Sequence, residues 1–228
     1  MILYNTLMGV AAGTAMLMVP ILARKLHRRE SIAPEGWALT FGILGVILTF
    51  LGGHMTVTWP LNANPPINIM FGEPTLVLGL LLLAAALFMW RRPDAFLDLK
   101  DEAFNRLIRV LTPVSWLVLV LGLILFSCTV AVFRFGFVGA APAEEPISGL
   151  LHDYPWVENT FIGLLYALGA VGPLLAPFAL RNLGSRVAQV AGWSMAVSGA
   201  AFLLFSVMNY YTHIGLLVNM LQKTSFKI

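Results

Sequence analysis

The sequence predicts an all-α integral membrane bundle of six transmembrane helices, with an amphipathic cytoplasmic-surface helix between the third and fourth. Three observations carry this. The chain of 228 residues is 59% hydrophobic and only 11% charged, whereas a soluble domain carries about 25% charged residues. Its 14 basic and 11 acidic side chains cannot cover a water-facing surface. Six apolar stretches approach the ~20 residues that cross a hydrocarbon core about 30 Å thick at about 1.5 Å per residue. Finally, lysine and arginine collect in alternate loops between those stretches.

The spans fall at 4–23, 36–55, 74–90, 110–133, 160–180 and 187–211, and the whole chain reads as a single transmembrane domain, 1–228. The N-terminal MILYNTLMGVAAG lacks a positive leading segment and opens a long apolar run, so it reads as an anchor and not as a cleaved signal. No Asp, Glu, Lys or Arg occurs between Glu35 and Glu73. Between the third and fourth spans, DAFLDLKDEAFNRLIR (94–109) sets Phe96, Leu97, Leu99, Phe104, Leu107 and Ile108 among charges, the pattern of a surface helix. Pro173 and Pro177 are expected to kink or end the fifth span. Residues 214–228 read as an interfacial helix fading into a polar tail. Gly9 and Gly13 form a GxxxG pair, and Gly192, Ala196 and Ala200 repeat that spacing, so these ridges are expected to pack closely.

Arg24, Lys25, Arg28 and Arg29 follow the first span, Arg91, Arg92, Lys100, Arg106 and Arg109 the third, and Arg181 and Arg186 the fifth. An excess of Lys and Arg marks the cytoplasmic side, so both termini are expected outside, in a multi-pass plasma-membrane protein. The basic charge thus belongs to topology and does not interleave with aromatics as nucleic-acid binding requires. The single cysteine, Cys128, rules out an intrachain disulfide or a multi-cysteine metal site. The chain has no phosphate-binding glycine loop, GxSxG elbow or HExxH helix. No lysine lies within a span, which excludes a retinal Schiff base.

That topology sends three of the four histidines to one face. His54 closes the second span; His152, Asp153, Glu158 and Asn159 lead into the fifth; Tyr210 and His213 end the sixth. Glu73 opens the third span from the same side, and Arg134 ends the fourth. Imidazole with carboxylate binds iron, copper or zinc, and two histidines from facing helices can ligate haem. His54, Glu73, His152 and His213 are therefore the candidate metal ligands, with Thr56, Trp59, Arg134, Asp153, Glu158 and Tyr210 as supporting polar groups. Copper, iron, haem or a quinone is the cofactor such a face would take. The bland alternative is that polar residues gather at helix ends because water is there, and that Glu73 merely meets the positive end of a helix dipole beside Pro74. The proline-rich connection WPLNANPPIN reads as a stiff connector or a plug.

GWALTFGILG from Gly36, GGHMTVTWPL from Gly52 and INIMFGEPTLVLG from Ile67 resemble the domain of unknown function 981 family, prokaryotic multi-span membrane proteins. The resemblance covers the second and third spans and singles out His54, Thr56, Trp59, Pro60, Glu73 and Pro74. It implies a multi-span membrane protein and no activity. The functional expectation is a non-catalytic subunit of a larger electron-transport or metal-dependent membrane complex, in contact with lipid and with other membrane subunits. Its polar His/Glu pocket would lie at the extracytoplasmic interface. A self-contained metal or haem redox protein is the first alternative. A small-molecule or ion transporter is the second, and the few polar residues at mid-membrane count against it.

Overall fold

The computed structural model describes residues 3–97 and 99–224, with side chains from residue 5 onward. Among the described residues the secondary structure is helical throughout, without strands. The helices are α1 (Leu3–His27), α2 (Pro34–Thr58), α3 (Pro66–Arg91), the single turn α4 (Asp94–Leu97), α5 (Asp101–Phe135), α6 (Pro155–Arg181) and α7 (Arg186–Gln222). A 3-10 turn, Ser148–Leu151, sits in the long connection before α6. All except α4 are long and apolar enough to cross a membrane, which makes this a multi-pass membrane protein.

Local chemistry sets the boundaries. Pro34, Pro66 and Pro155 stand in the first turns of α2, α3 and α6, where the missing N–H costs nothing. Trp59 (φ 47°) and Gly136 (φ 60°) end α2 and α5 in the left-handed conformation, each returning its N–H to the carbonyl four residues back. Ser185 caps α7 by accepting from the Ala188 N–H at 3.2 Å.

Four expectations are revised. The amphipathic segment 94–109 is divided: α4 forms one turn, and 101–109 is the beginning of α5, continuous with the fourth span. Asp98 lies outside the described residues. The divided segment is pinned to the bundle, because Phe96, Leu99 and Leu107 join the core built by α1, α2 and α3. Arg29 holds it from the α1–α2 turn, stacking 3.5 Å over the Phe104 ring, donating to Leu99 O at 2.7 Å and pairing with Asp101 at 3.3 Å. Residues 214–222 continue α7 and are not a separate helix; 225–228 lie outside the described residues. Of the kink or end expected at Pro173 and Pro177, the end is excluded, since α6 runs on to Arg181. And α3 begins at Pro66, so Glu73 stands about two turns inside it and not at its first turn.

The helices pack chiefly as the pairs α2 with α3, α5 with α6, and α1 with α7, with α6 against α7 joining the last two pairs. Glycines permit the close approach. A side chain at Gly13 would meet Leu203 N at 2.5 Å and Gly199 O at 2.8 Å, and one at Gly9 would collide with Ser206. The α1 ridge is therefore the expected one. Its partner on α7 is Gly199 with Ser206; Gly192 meets only Pro20, at 3.8 Å. Between α2 and α3 the contact runs through Gly45, Gly52 and Gly79, where added Cβ atoms would lie 2.5–2.9 Å from the opposing backbone. Gly13→Leu and Gly79→Leu are expected to cost about 1–3 kcal/mol each through overpacking. Thermal unfolding in detergent should show this, with Gly36→Ala, which meets nothing within 4 Å, leaving the midpoint unchanged.

Proline in a helix interior frees the carbonyl four residues earlier, and lipid offers that carbonyl no donor. Pro74 frees Met70 O, and the Tyr166 hydroxyl of α6 donates to it at 3.1 Å. Both residues are buried, within a second core formed with Val132, Val138 and Ile162. Phe71 stacks on the Tyr166 ring, and Phe202 packs edge-on against it. Tyr166→Phe, which removes only the hydroxyl, is expected to cost about 1–3 kcal/mol by orphaning a buried acceptor. Chemical denaturation of the two proteins in the same detergent would measure it.

Candidate functional site

One end of the bundle carries the basic loops; the other carries the α2–α3 connection, the α5–α6 loop and the far end of α7. Two asparagines build this loop end. Asn68, fully buried, accepts from Leu61 N (3.0 Å) and donates to Leu61 O (3.2 Å) and Pro65 O (3.1 Å). It makes the proline-rich connection a braced connector. Asn159 accepts from Val138 N and Gly139 N, at 2.9 and 3.0 Å, and donates to Pro155 O. Asn64 joins the two connections by donating to Phe137 O at 2.6 Å. The loop is then tied to α7, where Asn219 donates to Glu144 O at 2.7 Å and Pro146 fills the space above Gly215.

Under this loop lies a polar cluster. Glu145 is 6% exposed. Its Oε1 stands 3.6 Å from His213 Nε2, and the other imidazole nitrogen, Nδ1, is 2.9 Å from the Thr6 hydroxyl of α1. Thr212, fully buried, holds its hydroxyl close enough to favour the charged carboxylate, yet meets no partner at hydrogen-bond geometry. Glu158, half-buried on the first turn of α6, accepts from Ala141 N at 3.4 Å and lies within electrostatic reach of Glu145. His152, exposed, is held by Nδ1 at 2.9 Å from Ala141 O, so one loop residue carries both Glu158 and His152.

The candidate residues therefore divide between two places. His152, Glu158 and His213 belong to the loop and its seat, with Asp153 and Tyr210 exposed nearby in sequence. His54 and Glu73 belong to the α2–α3 pair. His54 is exposed in the last turn of α2, its Nδ1 3.2 Å from the Thr58 hydroxyl. Thr56 donates back to Gly52 O at 2.8 Å and packs against Gly72, and the exposed Trp59 returns its indole N–H to Thr56 O at 3.0 Å. Glu73 is exposed on α3, with Cys128 of α5 in electrostatic reach. Arg134 is exposed at the end of α5, 5.8 Å from the Phe135 ring. Among the described residues, no three His, Cys, Asp or Glu side chains stand together so as to hold a metal ion.

Glu145, Thr6 and Thr212 went unnoticed in the sequence. Glu145 follows an identical residue in AEEPI, and only the folded loop buries the second of the pair while leaving Glu144 exposed.

The fold defines a six-helix membrane bundle capped at one end by an ordered loop. Residues 1–215 match the family described as "Protein of unknown function (DUF981)", and the chain belongs to that family. The match extends past the two spans that carry the sequence motifs and takes in the loop with Glu145 and His152. Neither the curated proteins nor the solved structures give a match.

Burial pushes the Glu145 carboxyl above its usual range, with Thr212 opposing. A carboxyl so raised holds its proton more tightly in the folded state. Its contribution to stability is therefore greatest at acid pH and falls as pH rises from the ordinary value, about 4, through the raised one. In buffer without alkali metal ions, hydrogen exchange at 138–150 is expected to quicken over that interval beyond the intrinsic base-catalysed rise. In Glu145→Gln, which cannot ionise, the excess should shrink to the part contributed by Glu158, whose carboxyl burial also raises and which holds Ala141 of the same loop.

Proposed function

We propose that the protein is a non-catalytic subunit of a larger membrane complex, assembled laterally through the outward face of α3. The observation that carries this reading is the placement of Glu73. It lies between Ile69 and Leu80 on the exposed stripe of α3, which continues through Ala84 and Leu87. By position it stands about 8 Å from the midpoint of the helix along its axis, inside a hydrocarbon core whose half-thickness is about 15 Å. The four residues around it in the stripe are apolar, and none of the hydrogen bonds or ion pairs of the described residues involves Glu73. A carboxylate at membrane depth is costly unless paired. A transmembrane helix of another subunit, bringing a cationic or hydrogen-bonding side chain to that level, would supply the missing partner.

By the distribution of Lys and Arg, the basic end faces the cytoplasm of a plasma membrane and the loop end lies outside. Such a subunit would position or stabilise other components of an electron-transport or metal-dependent assembly.

The test is the size of the particle extracted gently from native membrane. Wild type is expected to elute as part of an assembly much larger than 24.9 kDa plus its detergent. Glu73→Leu should release the chain as a small folded particle, Glu73→Gln should retain most of the assembly, and His54→Ala should leave it intact. A wild-type chain that elutes alone, or an assembly indifferent to Glu73→Leu, contradicts the proposal.

A further inference from the structure

The cluster beneath the α5–α6 loop has a charge problem. Two carboxylates, Glu145 and Glu158, lie within each other's electrostatic reach, one buried and one half-buried. No lysine or arginine pairs with either among the ion pairs of the described residues; His213, at 3.6 Å, is the one basic neighbour of Glu145. A buried carboxylate is tolerated when it is neutralised. Close enough to favour the charged Glu145 carboxylate stands a second unmet need, the fully buried Thr212 hydroxyl, which meets no partner at hydrogen-bond geometry. Asn5 Oδ1, one residue before the Thr6 that holds His213, is likewise buried without a partner.

We propose that this cluster binds a small monovalent cation, sodium, between the Glu145 carboxylate and the Thr212 hydroxyl. The donors are oxygens, which suits a hard cation and not zinc or copper. His213 forms a wall of the site and is not a ligand: Nδ1 is engaged with Thr6, and Nε2 faces the carboxylate. A calcium ion takes six to eight oxygens, more than one carboxylate, one hydroxyl and nearby carbonyls provide. A singly charged ion matches the Glu145 charge.

The site is built before any ion arrives. Glu145 N donates to Pro142 O at 3.0 Å, and Glu145 O accepts from Gly149 N at 2.9 Å. Glu144 O is held by Asn219, and the start of the loop by Asn159. The carboxylate is thus carried to α7 by backbone bonds that do not involve its own charge. Binding would strengthen the seating of the loop on α1, α6 and α7.

The experiment uses the full chain in lipid nanodiscs. Sodium chloride replaces choline chloride at constant ionic strength and neutral pH, with the thermal midpoint and hydrogen exchange at 138–150 as readouts. Sodium should raise both stability and protection, saturably. Glu145→Gln should lose the response. Thr212→Val should shift half-saturation upward roughly tenfold, the scale of one hydrogen-bonding oxygen to a charge. Asp153→Asn, exposed and outside the cluster, should respond as wild type does. No sodium dependence in wild type, or a response that survives in Glu145→Gln, overturns the proposal. So does calcium acting at lower concentration than sodium. Stability that follows pH but not sodium overturns it as well, and would leave a proton as the occupant.

Discussion

A backbone carbonyl freed by a proline inside lipid must find a donor within the protein, and for Pro74, one of several prolines inside these helices, the Tyr166 hydroxyl supplies it at Met70 O. The bond at 3.1 Å ties the α2–α3 pair to α6, whose other close neighbours are α5 and α7. Without it the first half of the chain touches the second mainly through α1 against α7. The same demand is met by several polar residues elsewhere in the spans, although the Thr49 hydroxyl of α2 is buried without a partner. Ser198, fully buried, spends its hydroxyl on Leu165 O, which fastens α7 to α6. Thr14, Thr56 and Thr129 each turn back on the carbonyl four residues earlier. These four side chains spend their hydroxyls on backbone carbonyls.

The loop end follows from the same accounting. The two proline-rich connections make turn bonds along their own backbones, and Asn68 and Asn159 add the side-chain bonds that brace them. Once braced, the α5–α6 loop lies against α7 and drives Glu145 down beside His213 and Thr212. The basic end is held differently, by apolar burial of Phe96, Leu99 and Leu107 and by Arg29 stacked on Phe104. One end is therefore fastened by grease and a guanidinium, the other by amide bonds over buried charge. The proposed cation site lies at the second.

Much of the fold was legible because bilayer thickness and charge asymmetry act on composition alone, so six apolar stretches and their basic loops could be read directly. What could not be read were features decided between helices. The start of α3 was misplaced because PPINIMFG looks like a loop until Asn68 braces the connection before it and Tyr166 relieves Pro74. The α7 ridge was displaced from Gly199 to Gly192 because small residues at a fixed spacing are common and only the facing helix selects among them. His213 was legible as a candidate from topology, whereas Glu145 was indistinguishable from Glu144 until the loop folded. Glu73 stood out early as a carboxylate near an apolar run, but its depth and its outward direction depended on where α3 begins.

That direction underlies the proposed function, in which the Glu73 carboxyl takes its partner from another molecule. The most direct measurement is a single-particle map of the protein in nanodiscs formed from its native membrane, read at the stripe of Ile69, Glu73, Leu80, Ala84 and Leu87. The account predicts a protein helix along that stripe, with a donor group within hydrogen-bonding distance of the Glu73 carboxyl. Acyl chains alone along the stripe, with Glu73 facing lipid, would contradict it.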